Sequence, residues 1–545
     1  MVEAPARQVD GVGVTGLVPE TRQRGMARTS RYVLLAVVLL LSLLLRLRFA
    51  SVPLERDEGD YAYIAWLIND GGVPYRDAFD QKPPGVYFIY LGFMKLFGFT
   101  TEGLHFGLYG WTLGTILFVY LVASRVLSPV AGILAAAMFS VGSISPAFLG
   151  TAANTESLMV LPLAAAAFLA SAVLAQRDAP LSRCLLCGLM VGAATTLKQV
   201  AVTDGAFFAL VIVVATIQAR RTPQALLARV AAVALGAAVA WIPLLAYFAA
   251  KGAVSNLLGD ALLHNLRYSS IVPLSDYPEN FFHTFRLSLI PYIWPYMAMA
   301  LLGLVVMALR RGRGETEGFV WWFVPGWLLA SFIGASVGGF FRQHYLLQTL
   351  APLALLAGYF LDVATRRVPS ALVRGALCAA AVVLPLVLNV RTFFVYSPDQ
   401  LSNVIYPGNP FVESKRVADL VRRQTAPADK VLIVGSEPKI LFYAQRHSAS
   451  RYILTYPLMM DLEGAAERQV EMVAEAEAAR PPLVVVVNVF ASHLAGPSTS
   501  GYLFERVTAL LEREYVRIYP IDDSGVEGGP PLQVFQRRVE GAGAS

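Results

Sequence analysis

Residues 31–60 read RYVLLAVVLLLSLLLRLRFASVPLERDEGD, and this stretch decides the fold. An apolar run, Tyr32–Leu45, stands just before a dense set of charges, Glu55-Arg56-Asp57-Glu58-Gly59-Asp60, with Arg22, Arg24, Arg28 and Arg31 on its other flank. Basic residues ahead of such a run mark a first membrane span with its N-terminus inside. A cleaved signal peptide is the rival reading. It is the weaker one, because many more apolar runs follow and no small-residue cleavage site is evident.

Those further runs fall at 104–123, 129–147, 157–175, 184–202, 205–218, 230–249, 286–309, 319–338, 345–365 and 371–391. Each is near the roughly 20 residues that cross a hydrocarbon core, with 205–218 short. If the N-terminus is inside, then Arg125, Arg177, Arg183, Arg220, Arg221, Arg229, Arg310, Arg311, Arg313, Arg366, Arg367 and Arg374 all fall in inner loops, as the positive-inside rule requires. That consistency predicts about eleven spans. The segment 184–218 stays open, as one long broken helix or two short ones. Pro83–Phe97 is apolar but short, and reads as re-entrant or interfacial.

Composition agrees. Of 545 residues, 56% are hydrophobic and only 15% charged, against about 25% charged in soluble chains. A disordered chain, a coiled coil and an ordinary soluble multidomain enzyme are thereby excluded. The net charge of +6 does not point to nucleic acid, since the arginines sit in short loops where topology explains them. Cys184-x-x-Cys187 falls in an apolar run and reads as two small apolar residues one helical turn apart, not as a redox or metal pair.

The expected fold is mostly α. A cytoplasmic tail (1–30), disordered by composition, precedes a polytopic membrane domain (31–395) whose first outer loop is 50–103, and a small α/β domain (396–545) follows. In that last part Lys430–Gly435, Pro482–Val489 and Val516–Ile521 read as strands, with helices at Lys415–Gln424, Pro438–Arg446, Ala465–Arg480 and Tyr502–Glu514, which predicts a mainly parallel sheet. Gly435-Ser436-Glu437-Pro438 lacks the second and third glycines of a nucleotide fingerprint and reads as a plain strand–helix turn.

Charges away from span ends are the candidates for chemistry, because apolar surroundings keep charge out unless it is used or paired. The first outer loop is the richest place. Tyr61, Tyr63, Trp66 and Tyr75 interleave with its acids, which suits a loop lying on the membrane interface or stacking on a sugar. Lys82 precedes Pro83-Pro84, so a stiff backbone holds an ammonium near the headgroup level, where it is a natural phosphate ligand. A solvated loop without function is the bland alternative.

The Asp57-Glu58 pair after the first span, Lys82-Pro83-Pro84, and the later His344-Tyr345 resemble the GT-C glycosyltransferases over roughly residues 30–395. The likeness is nearest to the bacterial branch with the protein O-mannosyltransferases and the lipid A aminoarabinose transferase. The resemblance implies an inverting, multi-pass enzyme of the bacterial cytoplasmic membrane, with its N-terminus cytoplasmic and its C-terminal domain outside. It would take a monosaccharide from a polyprenyl-phosphate carrier and transfer it to a hydroxyl of a protein, lipid or glycan. Asp57 would be the catalytic base, with Glu58 completing the pair and holding the loop. Glu156 would be the second acidic site, or alternatively part of a helix N-cap with Asn154 or Thr155. Lys82 and Arg267 would bind the donor phosphate, with Arg342, His344 and Tyr345 along the carrier groove and Tyr61 and Tyr63 lining the sugar. The aminoarabinose branch has a metal-binding acid where this chain has Gln81, so no metal is expected, although His264 is available. Lys198 is a further cation that either lines the cavity or snorkels.

The chemistry needs no nucleotide site, because the polyprenyl phosphate is itself the leaving group. It needs cations for the developing phosphate charge and a carboxylate for the acceptor's proton. The alternatives are a transporter or flippase for lipid-linked saccharides, an oligosaccharide ligase, and a non-catalytic anchor. A transporter would show paired halves with matching broken helices, and no such repeat is found. An anchor leaves the charged first loop unexplained.

Overall fold

The computed structural model describes residues 28–176, 180–312, 319–520 and 530–538. The tail up to residue 27, with Arg22 and Arg24, and the loop arginines Arg177 and Arg313 lie outside the described residues. Helix α1 (Arg28–Leu47) opens the membrane part. It is followed by α2 (Arg56–Asn69), α3 (Gly85–Phe97), α4 (Thr101–Val126), α5 (Pro129–Gly142) and α6 (Thr155–Gln176). Next come α7 (Leu181–Thr195), α8 (Val202–Gln218) and α9 (Pro223–Ala250), then apolar helices at Ile290–Gly312, Val320–Ser336, Leu350–Thr365 and Ala371–Leu388. Among the described residues, eight helical stretches are long and apolar enough to cross a membrane, and α3, α5 and α7 are shorter apolar helices.

Starts are written locally. Thr100, Ser128 and Thr222 accept from backbone N–H groups three residues on at the heads of α4, α5 and α9, and proline follows directly in the last two. Ser128 also donates to Asp362 (2.6 Å), which pairs with Arg366 (2.7 Å), while Arg125 donates to the Phe168 carbonyl (2.9 Å). These contacts gather several of the arginine loops at one end of the bundle. Arg46, buried at the foot of α1, donates to Ser42, Ser143 and the Ser140 carbonyl, tying α1 to α5.

The open segment 184–218 is two helices. Val191 lies against Gly205, equally far along the chain from Lys198, so α7 and α8 form a hairpin with Lys198 at its tip. Gly188, Gly192 and Gly236 let α7 and α9 touch backbone to backbone, since a Cβ on any of them would enter the facing chain.

The C-terminal part holds a sheet of β1 (Lys430–Val434), β2 (His447–Ser448), β3 (Leu483–Val487), β4 (Tyr515–Tyr519) and β5 (Leu532–Arg537), in the order β2-β1-β3-β5-β4. Only β1 pairs in parallel, with β2 and β3, whereas β5 runs antiparallel between β3 and β4. The sheet is therefore mixed, not mainly parallel. The turn after β1 is closed by protein: Thr455 accepts from the Gly435 N–H (2.7 Å) and Ser492 from the Ser436 N–H (2.6 Å), which leaves no phosphate cradle.

The segment 50–103 departs most from expectation. It is no interfacial loop. It folds into α2 and α3 and is clasped between the membrane helices and the C-terminal domain, with Tyr61, Tyr63, Tyr75, Tyr87 and Tyr90 all at 1% exposure or less.

Candidate active site

Helix α2 begins with a capping box: Glu55 accepts from the Glu58 N–H (3.1 Å) and Glu58 from the Glu55 N–H (3.2 Å). The cap sets Asp57 and Glu58 on different sides of the first turn, with different tasks. Glu58 is buried, meets His105 Nε2 (3.1 Å) and accepts from the Ala153 N–H (2.7 Å). It ties α2 to α4 and to the loop that leads into α6. Asp57 turns to Lys82, whose Nζ is 3.4 Å from Asp57 Oδ2, and Tyr61 donates to the same oxygen (3.4 Å).

Lys82 is placed by its neighbours. Tyr75 (2.7 Å) and Tyr87 (3.4 Å) donate to its carbonyl, and Pro83-Pro84 stiffen the chain into α3. The Gly85 N–H donates to the Thr196 carbonyl (2.9 Å), and a Cβ at Gly85 would collide with Thr196. Lys82 is thus seated on the α7–α8 tip, two residues from Lys198. Tyr90 donates to the Ala153 carbonyl (2.8 Å), so α2 and α3 together pin the loop that leads into α6. There Glu156 pairs with Lys198, accepts from the Thr155 hydroxyl (2.9 Å), and is wholly buried. Lys198 also lies over the Tyr345 ring, 3.6 Å from its centroid.

The site therefore consists of two lysine–carboxylate pairs, Asp57–Lys82 and Glu156–Lys198, with His344 charge-coupled to both. Burial alone would push the Asp57 carboxyl up. The positive charge of Lys82, aided by His344, Arg56 and Lys198, instead holds it at about 2. Lys82 in turn is held well above the usual ammonium range, since Asp57 outweighs the burial that lowers it. Beside them Asp60 and Asp80 are both buried; burial first, then the Asp80 charge and their shared hydrogen bond, keep Asp60 protonated far above the usual carboxylate range.

A small cavity of about 60 Å³ adjoins the second pair, lined by Glu156, Lys198, Asn265, Tyr268, Tyr345 and Gln348. On the other side of the segment Gln343–Thr349 runs an apolar groove of about 370 Å³, lined by Phe281, Phe285, Ile293, Met297, Phe332 and Leu346 among others. Arg342 is exposed over the Phe340 ring (5.9 Å), and Phe340 stacks on Tyr268 at the cavity wall (4.8 Å).

Two expected residues sit elsewhere and a third changes its part. Arg267 points outward to Glu463 (3.0 Å) with half of its side chain exposed, so the second cation of the cluster is Lys198, not Arg267. Tyr63 is buried under β2, where its hydroxyl accepts from the Ser448 N–H (2.9 Å), away from both pairs. Tyr61 stays in the cluster, but as a buried wall under Lys82. The signal for Lys198 was its charge inside an apolar run; its partner was not readable. Gln81 spends its amide N–H on the Tyr456 hydroxyl (3.2 Å), and His264 packs edge-on against Phe79. Burial, with Arg468 and Arg267 nearby, lowers the His264 imidazole to about 4. Among the described residues no group of three or more histidine, cysteine, aspartate or glutamate side chains is placed to hold a metal ion.

The family described as dolichyl-phosphate-mannose-protein mannosyltransferase matches residues 81–247, a segment that contains Lys82, Glu156 and Lys198. No curated protein matches the chain. Among solved structures, ArnT from Cupriavidus metallidurans bound to undecaprenyl phosphate is similar, with TM-score 0.57 and 15% identity over 95% of this chain and 100% of that one. The archaeal oligosaccharyltransferase AglB from Archaeoglobus fulgidus, in complex with an inhibitory peptide and a dolichol-phosphate, gives TM-score 0.51 and 14% identity over 85% of this chain and 70% of that one. The chain is thus a multi-pass membrane protein with the fold of these structures, and residues 81–247 carry the likeness to the mannosyltransferase family.

Proposed function

We propose that the chain moves a monosaccharide from a polyprenyl-phosphate carrier to an acceptor hydroxyl at the end of the bundle that holds Asp57 and Lys82. The observation that carries this reading is the two lysine–carboxylate contacts, one of them lining a small cavity, with an apolar groove on the other side of Gln343–Thr349. A polyprenyl tail fits the groove by its chemistry, and the ammonium groups of Lys82 and Lys198 receive the phosphate. The acceptor oxygen attacks the anomeric carbon, the bond from that carbon to the phosphate oxygen breaks, and the leaving phosphate keeps the electron pair. The acceptor's proton goes to Asp57, and the anomeric configuration inverts.

The low Asp57 pKa gives an order to these events. A carboxylate held at about 2 by Lys82 is a poor base. Donor phosphate engages Lys82 and draws that charge away, which raises the basicity of Asp57 when the acceptor arrives. The donor therefore binds first. Arg342 and His344 stand at the cavity rim and beside the two pairs, where they support the phosphate. The acceptor is a protein, lipid or glycan.

Purified protein incubated with radiolabelled polyprenyl-phosphate sugars tests the reading. Label moving to an acceptor with release of polyprenyl phosphate supports it. Movement of intact lipid-linked sugar between leaflets, without cleavage, would establish a flippase instead.

The side of the membrane is part of the proposal. The positive-inside rule puts the arginine loops in the cytoplasm of a bacterial cell, so the site and the C-terminal domain face outward across the inner membrane. Single cysteines at Ser269 and Ser500, in a background without the native three, should react with an impermeant maleimide in intact cells. Protection of both until permeabilisation would reverse the assignment.

A further inference from the structure

The C-terminal domain does more than cover the first outer segment. At the end of β1 the wholly buried Glu437 accepts from Arg56 (2.8 Å), and Arg56 also donates to the Ser436 carbonyl (3.0 Å) and to Asn409 (2.8 Å). Arg56 immediately precedes Asp57. Glu437 also pairs with the ammonium of Lys439 (2.7 Å), and Gly59 is pressed so closely on Lys439 that a Cβ there would lie 2.6 Å from the lysine Cβ. The first turn of α2 is thus fixed to the domain at two points.

A second contact reaches the other half of the pair. Tyr456 accepts from the Gln81 amide (3.2 Å), and Gln81 immediately precedes Lys82. Both contacts come from one block. The Ser436 hydroxyl accepts from the Thr455 N–H (3.0 Å) and the Tyr456 N–H (3.1 Å) and donates to the Ser492 carbonyl (2.5 Å), so Tyr456 is hydrogen-bonded to the buried serine that immediately precedes Glu437.

We propose that this block is a positioning device for the reaction, in which Glu437 sets Asp57 through Arg56 and Tyr456 sets Lys82 through Gln81. Neither residue touches the reacting atoms. Their effect is to fix the separation of base and phosphate ligand from a rigid sheet end, where a misplacement of about 1 Å can cost roughly 10²-fold in rate. The proposal rests on the catalytic reading above for the roles of Asp57 and Lys82.

The two contacts predict different kinetic signatures. In full-length protein in detergent, Glu437→Gln should lower kcat about 10²-fold with donor affinity little changed, and Glu437→Asp should recover part of the loss. Tyr456→Phe should weaken polyprenyl-phosphate binding severalfold with the smaller effect on kcat. Arg506→Ala, which removes a surface pair with Glu477 in the same domain, should leave both parameters as in wild type. Parallel losses of kcat, affinity and thermal stability in the Glu437 and Tyr456 variants would mean that the domain only holds the fold, and unchanged values in both would overturn the proposal outright. Binding of polyprenyl phosphate alone needs no turnover. A wild type that binds it but transfers no sugar therefore refutes the catalytic reading, while the Tyr456 arm still decides the positioning link.

Discussion

The segment 50–103 and the helix Pro223–Ala250 are inside out with respect to each other. The first is rich in acids and tyrosines, and it is the buried centre of the molecule: Glu58, Asp60 and Asp80 are at 2% exposure or less. The second is almost wholly apolar, and it carries Leu235 and Ile242 at 58% and 57% exposure. In water this distribution would be perverse. In a bilayer it follows from the solvent, because lipid covers apolar side chains at no cost while buried charge must be paired or used. Position in the fold, rather than polarity, tells which charges matter.

The comparison breaks hardest at Asp57. Asp57→Asn keeps the shape of α2 and removes the base, so transfer should fall about 10²–10⁴-fold with expression intact. Wild-type turnover in that purified variant would return the segment to the status of a passive loop.

Glu58, one residue on, should fail differently. Its carboxylate serves His105 and the Ala153 N–H, and Glu58→Gln strips part of that network in a buried place. The expected loss is about 2–3 kcal/mol of stability, seen as a lower unfolding temperature, with residual activity in the fraction that stays folded. Catalytic loss without loss of stability would exchange the roles assigned to Asp57 and Glu58.

Acid sharpens the contrast further. Burial, with the charges of Asp57 and Glu58 adding to it, raises the Glu55 carboxyl to about 8. A carboxyl raised in the folded state binds its proton there before the unfolded chain does, so stability should rise as pH falls from 8 to 6.5. Below about 6.5 the gain flattens, because His264, lowered to about 4 chiefly by burial, is protonated more readily in the unfolded chain. Glu55→Gln should reduce the rise, with the raised Asp60 supplying the remainder. A stability that instead stays flat between pH 8 and 6.5 would mean that these acids are solvated.

The lipid-facing side should hardly respond. Leu235→Ala exchanges one apolar surface for another against lipid, and its effect should stay within about 0.5 kcal/mol in thermal unfolding. A much larger loss would place that face against protein.

The same inversion governs how much the sequence could tell. The apolar runs fall on the apolar helices of the structure, and the arginine loops predicted which helix ends gather together, because hydropathy and charge are the quantities a bilayer selects on. Asp57, Lys82 and Glu156 stood out as charges with no reason to be near a span, and the structure brings them together. Arg267 fitted the same rule and yet turns away, since Glu463, almost 200 residues later, offers it a partner at the surface. Lys198 was undecided because one apolar run gives no hint of a hairpin tip beneath Lys82. Burial of the tyrosines depended on the C-terminal domain folding back onto them, a long-range contact with no local trace. Strand β5 was missed for a local reason: only Leu532 and Val534 of it are fully buried.

The account's central claim is that two lysines from distant loops, Lys82 and Lys198, hold one donor phosphate. Binding of radiolabelled polyprenyl phosphate to purified wild type, Lys82→Ala, Lys198→Ala and the double variant measures this directly. The account predicts that each single change weakens binding about tenfold or more, and that the double variant departs from the sum of the two by a coupling beyond about 0.5 kcal/mol, as for residues sharing a ligand. Strict additivity, or unchanged affinity in either single variant, would contradict it.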